Sequence, residues 1–169
     1  MNIGFSILGK DKDSQGGGKE KRWKAFRPSV VFALQRDFPL NRLVLAYQKG
    51  QEELLDTVSS DIREASEKQK NGPLEVVPRL VCFQDPFDYE VAFQVLYEEL
   101  RQIERSEEDE LYIHTGTGTH TMQFAMYFLV DKQLIPGNLV QTFRDEGKKS
   151  DSYGRARVIA LSYPAILQA

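Results

Sequence analysis

The stretch "LYIHTGTGTHTMQFAMYFLV", Leu111 to Val130, opens as a strand and closes as a helix. At its joint, Thr115 to His120, Thr alternates with Gly and the run ends on His. From 121 to 134 the helix is apolar nearly all round, which predicts burial on both sides. A strand feeding a helix through a glycine-bearing turn is one βα unit. The fold depends on whether the flanking sequence repeats it.

It does. "IGFSIL" (3–8) predicts a strand, and "PSVVFALQRDF" (28–38) a helix with Pro28 at its first position, where a missing N–H costs nothing. "RLVLAY" (42–47) is a strand, and 51–69 follows as a helix with Leu54, Val58, Ile62 and Ala65 on one face. "LEVVPRLVCF" (74–83) is a strand that Pro78 confines to a sheet edge or a bulge. Residues 87–104 form a helix with Asp85 or Asp88 as its natural cap. "NLVQTF" (138–143) and "RVIALS" (157–162) supply two more strands, the last behind a polar hairpin-like loop and therefore antiparallel. The expectation is a single domain over 1–169, an α/β, doubly wound, mainly parallel sheet of about six strands with an antiparallel last strand. Loops 9–27 and 144–156 exceed the usual length, and long loops at strand carboxyl ends are where open α/β sheets hold ligands.

Composition narrows the classes. The chain is 41% hydrophobic and 28% charged with a net charge of −3, against a protein that coats nucleic acid indiscriminately. Cys82 stands alone, which excludes a disulfide framework or a cysteine metal site, and no cofactor or metal is expected. No apolar run reaches the roughly 20 residues of a membrane span, and Met1 leads into "NIGFSILG" without a secretory pattern. Cytoplasmic localisation is expected.

The Thr/Gly/His joint has two readings. A helix N-terminus offers free N–H groups and a positive dipole end to a phosphate. Gly116 and Gly118 would let the backbone approach it, while Thr115, Thr117 and Thr119 add hydroxyls and His120 a ring donor. The plainer reading is a Thr N-cap on a tight turn. The run is no dinucleotide fingerprint, because Thr121 takes the third glycine position, and Asp13 and Glu20 rule out a P-loop around Gly18–Lys19. His114 reads as a core histidine at a strand end. In "KEKRWKAFRP", Arg22 and Arg27 with neighbouring lysines surround Trp23 and Phe26, a mixture that holds single-stranded nucleic acid. A solvated basic loop with Trp23 tucked onto the first helix is the alternative.

These segments together resemble one family across essentially the whole chain. It is the sensor domain of RtcR-type regulators, a CARF (CRISPR-associated Rossmann fold) domain. The family signature H-x-T-T-G-T-H-x-x-Q is matched by His114, Thr117, Gly118, Thr119, His120 and Gln123, with Gly116 in place of a Thr. R-W-x-x-W-R-P-T is matched by Arg22, Trp23, Arg27 and Pro28, with Phe26 for Trp and Ser29 for Thr. The resemblance implies a Rossmann-like fold and a homodimeric sensor within a sigma-54-dependent activator of an RNA-repair operon. Its implied partners are RNA with a 2′,3′-cyclic phosphate end, or cyclic oligoadenylate, and the family's own ATPase and helix-turn-helix domains, of which this chain would be the sensor alone. Such a domain requires no chemistry. A ring nuclease that cleaves cyclic oligoadenylate is the alternative.

Overall fold

The computed structural model describes residues 1–69, 72–144 and 154–160. Six strands form one sheet in the order β3-β2-β1-β4-β5-β6. They are β1 (Asn2–Ile7), β2 (Arg42–Tyr47), β3 (Glu75–Leu80), β4 (Glu110–His114), β5 (Asn138–Phe143) and β6 (Arg155–Val158). The first five are parallel, and β6 runs antiparallel to β5. The helices are α1 (Lys19–Lys24), α2 (Pro28–Leu34), α3 (Glu52–Glu67), α4 (Tyr89–Arg101) and α5 (His120–Asp131). The expected doubly wound sheet with its reversed last strand is therefore present.

Side chains that alternate along each strand build two cores. Ile3, Phe5 and Ile7 of β1 and Leu111 and Ile113 of β4 meet Leu96 and Leu100 of α4 and Met126 and Leu129 of α5. On the opposite face Leu43, Leu45 and Val140 meet Phe32 of α2 and Leu55, Val58 and Ile62 of α3. Full burial of one such Leu or Phe contributes about 1.5–3 kcal/mol. Gly4 keeps this second face tight: a Cβ there would lie 2.6 Å from Leu40 and 3.0 Å from Phe32.

Some elements differ from the sequence reading. The helix expected over 28–38 ends at Leu34, because the Gln35 side chain bonds both the N–H and the carbonyl of Phe38 and closes a turn before Pro39. The loop 9–27 contains α1, a short helix of charged residues without an apolar stripe. On α3, Leu55 rather than Leu54 lies in the buried stripe. Pro78 sits in β3 at the sheet edge, as its missing N–H requires. The strand expected over 157–162 is β6, which begins two residues earlier and ends at Val158, and 161–162 lie outside the described residues.

Candidate functional site

After β1 the chain passes to the α2 side of the sheet, and after the adjacent β4 it passes to the α5 side. Neighbouring strands whose connections part in this way leave a crevice at their carboxyl ends. The β1 loop and the 115–119 turn fill its two banks and touch. Lys12 Nζ donates to the Gly116 carbonyl at 3.0 Å, and the Thr117 hydroxyl donates to the Ile7 carbonyl. A Cβ on Gly9 would lie 3.1 Å from Thr117.

The three hydroxyls that stand out in the sequence pin the turn in place. Thr115 donates to the Val140 carbonyl at 3.1 Å and Thr119 to the Pro86 carbonyl at 2.7 Å, while Thr117 is fully buried on Ile7. Thr119 is also the N-cap of α5, accepting the Met122 N–H at 3.2 Å. Gly118 has φ +84°, a conformation that side chains resist, and its carbonyl receives Gln123 Nε2 at 3.0 Å. What faces outward is backbone, the exposed Lys12 ammonium and the exposed His120 at the first position of α5. The first-turn amides and dipole of a twelve-residue helix add positive potential there.

His114 is wholly buried, stacked on Phe32 with ring centroids 5.0 Å apart. Burial, with a smaller effect from the Lys12 charge, pushes its pKa down to about 3, so the ring is neutral. Its Nδ1 lies 2.8 Å from Ser6 Oγ and its Nε2 2.9 Å from Thr142 Oγ1. Asp13, also buried, receives the Gly9 N–H, the Ser29 N–H and the Ser29 hydroxyl at 2.8, 2.9 and 2.6 Å. Burial raises its carboxyl, and those three hydrogen bonds and the charge of Arg27 act against the rise.

Thr115, Thr117, Gly118, Thr119 and His120 therefore share one edge, whereas Arg22, Trp23 and Arg27 gather on α3. Arg22 grips both oxygens of Asp61 at 2.9 and 3.0 Å, and Arg27, 1% exposed, adds a third bond at 2.7 Å. Burial alone would raise the Asp61 carboxyl, but the two guanidinium groups outweigh it and hold it below the ordinary range. Trp23 lies against this group, with the Arg27 guanidinium 5.1 Å from its ring centre, and packs on the α2–α3 core. An open cleft of about 1330 Å³ beside it is bordered by α2, α3, β5 and β6 rather than by the turn.

Sequence reasoning overlooked Ser6, Lys12, Asp13, Ser29, Asp61 and Thr142. Asp61 carried a usable signal, since a carboxylate three residues after Val58 and one before Ile62 falls within the buried stripe. The others meet only through the crossing of strands far apart in sequence.

The profile of the family described as RtcR, Regulator of RNA terminal phosphate cyclase, matches residues 1–168. The chain belongs to the RtcR family. The transcriptional regulatory protein RtcR of Escherichia coli (strain K12) is 29% identical over 141 residues, which cover 83% of this chain and 25% of that protein. The chain thus spans about a quarter of the curated RtcR it matches. Among solved structures, Enterococcus italicus Csm6 bound to cyclic hexa-2′-fluoro-hexa-dAMP superposes with a TM-score of 0.59 at 16% identity, over 95% of this chain and 41% of that one. Can2 from Sulfobacillus thermosulfidooxidans in complex with cyclic tetra-adenylate gives 0.52 at 18% identity, over 83% and 32%. The fold of this RtcR-family chain is of the CARF type.

Proposed function

We propose that this domain is the ligand sensor of an RtcR-type transcriptional regulator and binds an oligonucleotide through a terminal or cyclic phosphate. One observation carries the reading. Lys12 meets the Gly116 carbonyl at the crevice between β1 and β4, where α5 begins at the exposed His120, and Thr115, Thr117 and Thr119 pin that turn. The phosphate meets the backbone of Gly116 to Thr119 and the side chains of Lys12 and His120, while the threonine hydroxyls fix the cradle. Arg22, Trp23 and Arg27 support the β1 loop from α3 and meet the ligand's bases only if the Asp61 contacts open.

RNA ending in a 2′,3′-cyclic phosphate is the first choice of ligand, since the family is described as regulating RNA terminal phosphate cyclase. Cyclic oligoadenylate is the second, favoured by the rings held in the two CARF-like neighbours. Calorimetric titration with a short RNA bearing a 2′,3′-cyclic phosphate, the same RNA with a 3′-hydroxyl, and cyclic tetra-adenylate separates them. Lys12→Ala and His120→Ala should each weaken the productive ligand by tenfold or more, the loss of a charged hydrogen bond of about 1.5–3 kcal/mol. Binding that neither substitution changes would remove this edge from the reading. Multiple-turnover cleavage of cyclic tetra-adenylate would establish the ring-nuclease alternative.

The sensor works as a homodimer in this proposal. Phe124 and Tyr127 of α5 are 55% and 43% exposed, and Tyr89 of α4 meets Phe124 edge-on at 5.6 Å. A second copy presenting the same ridge covers it and brings two phosphate cradles toward one axis.

A further inference from the structure

A continuous chain of buried hydrogen bonds runs beneath the candidate site: Asp13, Ser29, Ser6, His114, Thr142. The links measure 2.6, 3.1, 2.8 and 2.9 Å, and the first four residues are each at most 1% exposed. Hydroxyls and imidazole all have two faces, so the chain as a whole can point either way. Its ends decide.

We infer that Asp13 polarises this chain in one direction and makes Thr142 a hydrogen-bond acceptor at the ligand edge, a specificity residue for a ligand group that donates a hydrogen. Burial raises the Asp13 carboxyl, but two fixed backbone N–H groups, the Ser29 hydroxyl and the Arg27 charge all favour its ionised form, from which the direction of each link follows. Ser29 has one hydroxyl hydrogen, and having donated it to Asp13 it must accept from Ser6. Ser6 in turn must accept from Nδ1–H of His114. The neutral ring then has a bare Nε2, which accepts the Thr142 hydroxyl hydrogen. Thr142 is left with lone pairs only. It is half-buried, and its oxygen stands where a Cβ on Gly116 would come within 2.6 Å, so those lone pairs flank the cradle. A ribose hydroxyl or a base amino group satisfies them, whereas a bare phosphate oxygen does not.

Removing the Ser29 hydroxyl separates Ser6 and His114 from Asp13, so that neither direction is imposed on the ring.

The specificity role rests on the proposed ligand edge, but the direction of the chain does not, and ligand-free nitrogen-15 NMR tests it. The chain has two histidines, and His120→Ala identifies the signals of His114. The wild type is expected to show protonated Nδ1 and bare Nε2, and a wild-type Nε2–H ring overturns the inference. Ser29→Ala breaks the chain midway and is expected to leave both tautomers populated. A pure Nδ1–H ring in that variant overturns the control by Asp13. For specificity, Thr142→Val is expected to weaken cyclic tetra-adenylate at least fivefold. Rings with 2′-deoxyribose or with purine for adenine show which donor is read, because the ring lacking it gains nothing from Thr142. Equal affinity of wild type and Thr142→Val for all three rings overturns the specificity role. Absence of binding by these rings and by the RNA with a 2′,3′-cyclic phosphate overturns the edge itself, while the spectrum still judges the chain.

Discussion

Gly116 has space for a hydrogen and nothing more: a Cβ would stand 2.4 Å from His114 Nε2 as well as 2.6 Å from Thr142 Oγ1. Gly116→Ala should therefore destabilise the fold by about 1–3 kcal/mol, the range for overpacking a filled site, and urea denaturation measures it. His114 sets a second residue-scale expectation. Its folded pKa of about 3 lies below the ordinary value of 6.5, so the unfolded chain takes up the proton first. The stability it contributes is fully present above pH 6.5 and is lost progressively as pH falls toward 3. Asp13, with its carboxyl raised by burial, acts in the opposite sense, since acid relieves the cost of burying its charge. Comparing wild type with His114→Gln isolates the histidine. Between pH 7 and pH 4.5 the wild type should lose about 2 kcal/mol more than the variant. Equal losses would show that the ring is not held neutral.

At the scale of elements, α1 is fastened to α3 by two carboxylates, buried Asp61 under Arg22 and the more exposed Glu64 under Lys19. Asp61→Ala would leave Arg27 buried with no counter-ion, at a cost of about 3–5 kcal/mol. Arg22→Ala should cost less, because Arg22 is 20% exposed at its side chain and Asp61 keeps Arg27. Thermal melts of the two variants test that order, and equal losses would mean the pair does not act through Arg27. This fastening also shows what the sequence could convey. Strands β2 and β5 were legible to the residue, since each is a six-residue apolar-rich run bounded by polar residues. Helix α1 was not, because six charged-rich residues without a buried position carry no periodicity. The candidate turn was legible as a turn, but the purpose of its hydroxyls was not. Thr117 bonds Ile7, 110 residues away in the chain, and only the pairing of β1 beside β4 brings them together.

For the molecule as a whole, the exposed aromatic ridge predicts self-association. Light scattering at micromolar concentration should report about twice the 19.4 kDa chain mass, and Phe124→Asp with Tyr127→Asp should return a single chain. A wild type that scatters as one chain, with and without cyclic tetra-adenylate, would refute the dimer. Among the described residues no helix is long and apolar enough to cross a membrane. The reversal of β6 has a mechanical meaning. Arg155 begins beside Phe143 at the ligand edge, and Ile159 ends beside Leu139, bonded to its carbonyl at 2.7 Å, near the opposite rim of the sheet. At about 3.3 Å per residue the two rims lie some 13 Å apart. Thr142, the last member of the buried chain, pairs with Ala156 on this same strand. β6 thus spans the sheet beside β5, and a shift in its register at Thr142 would be felt at Leu139.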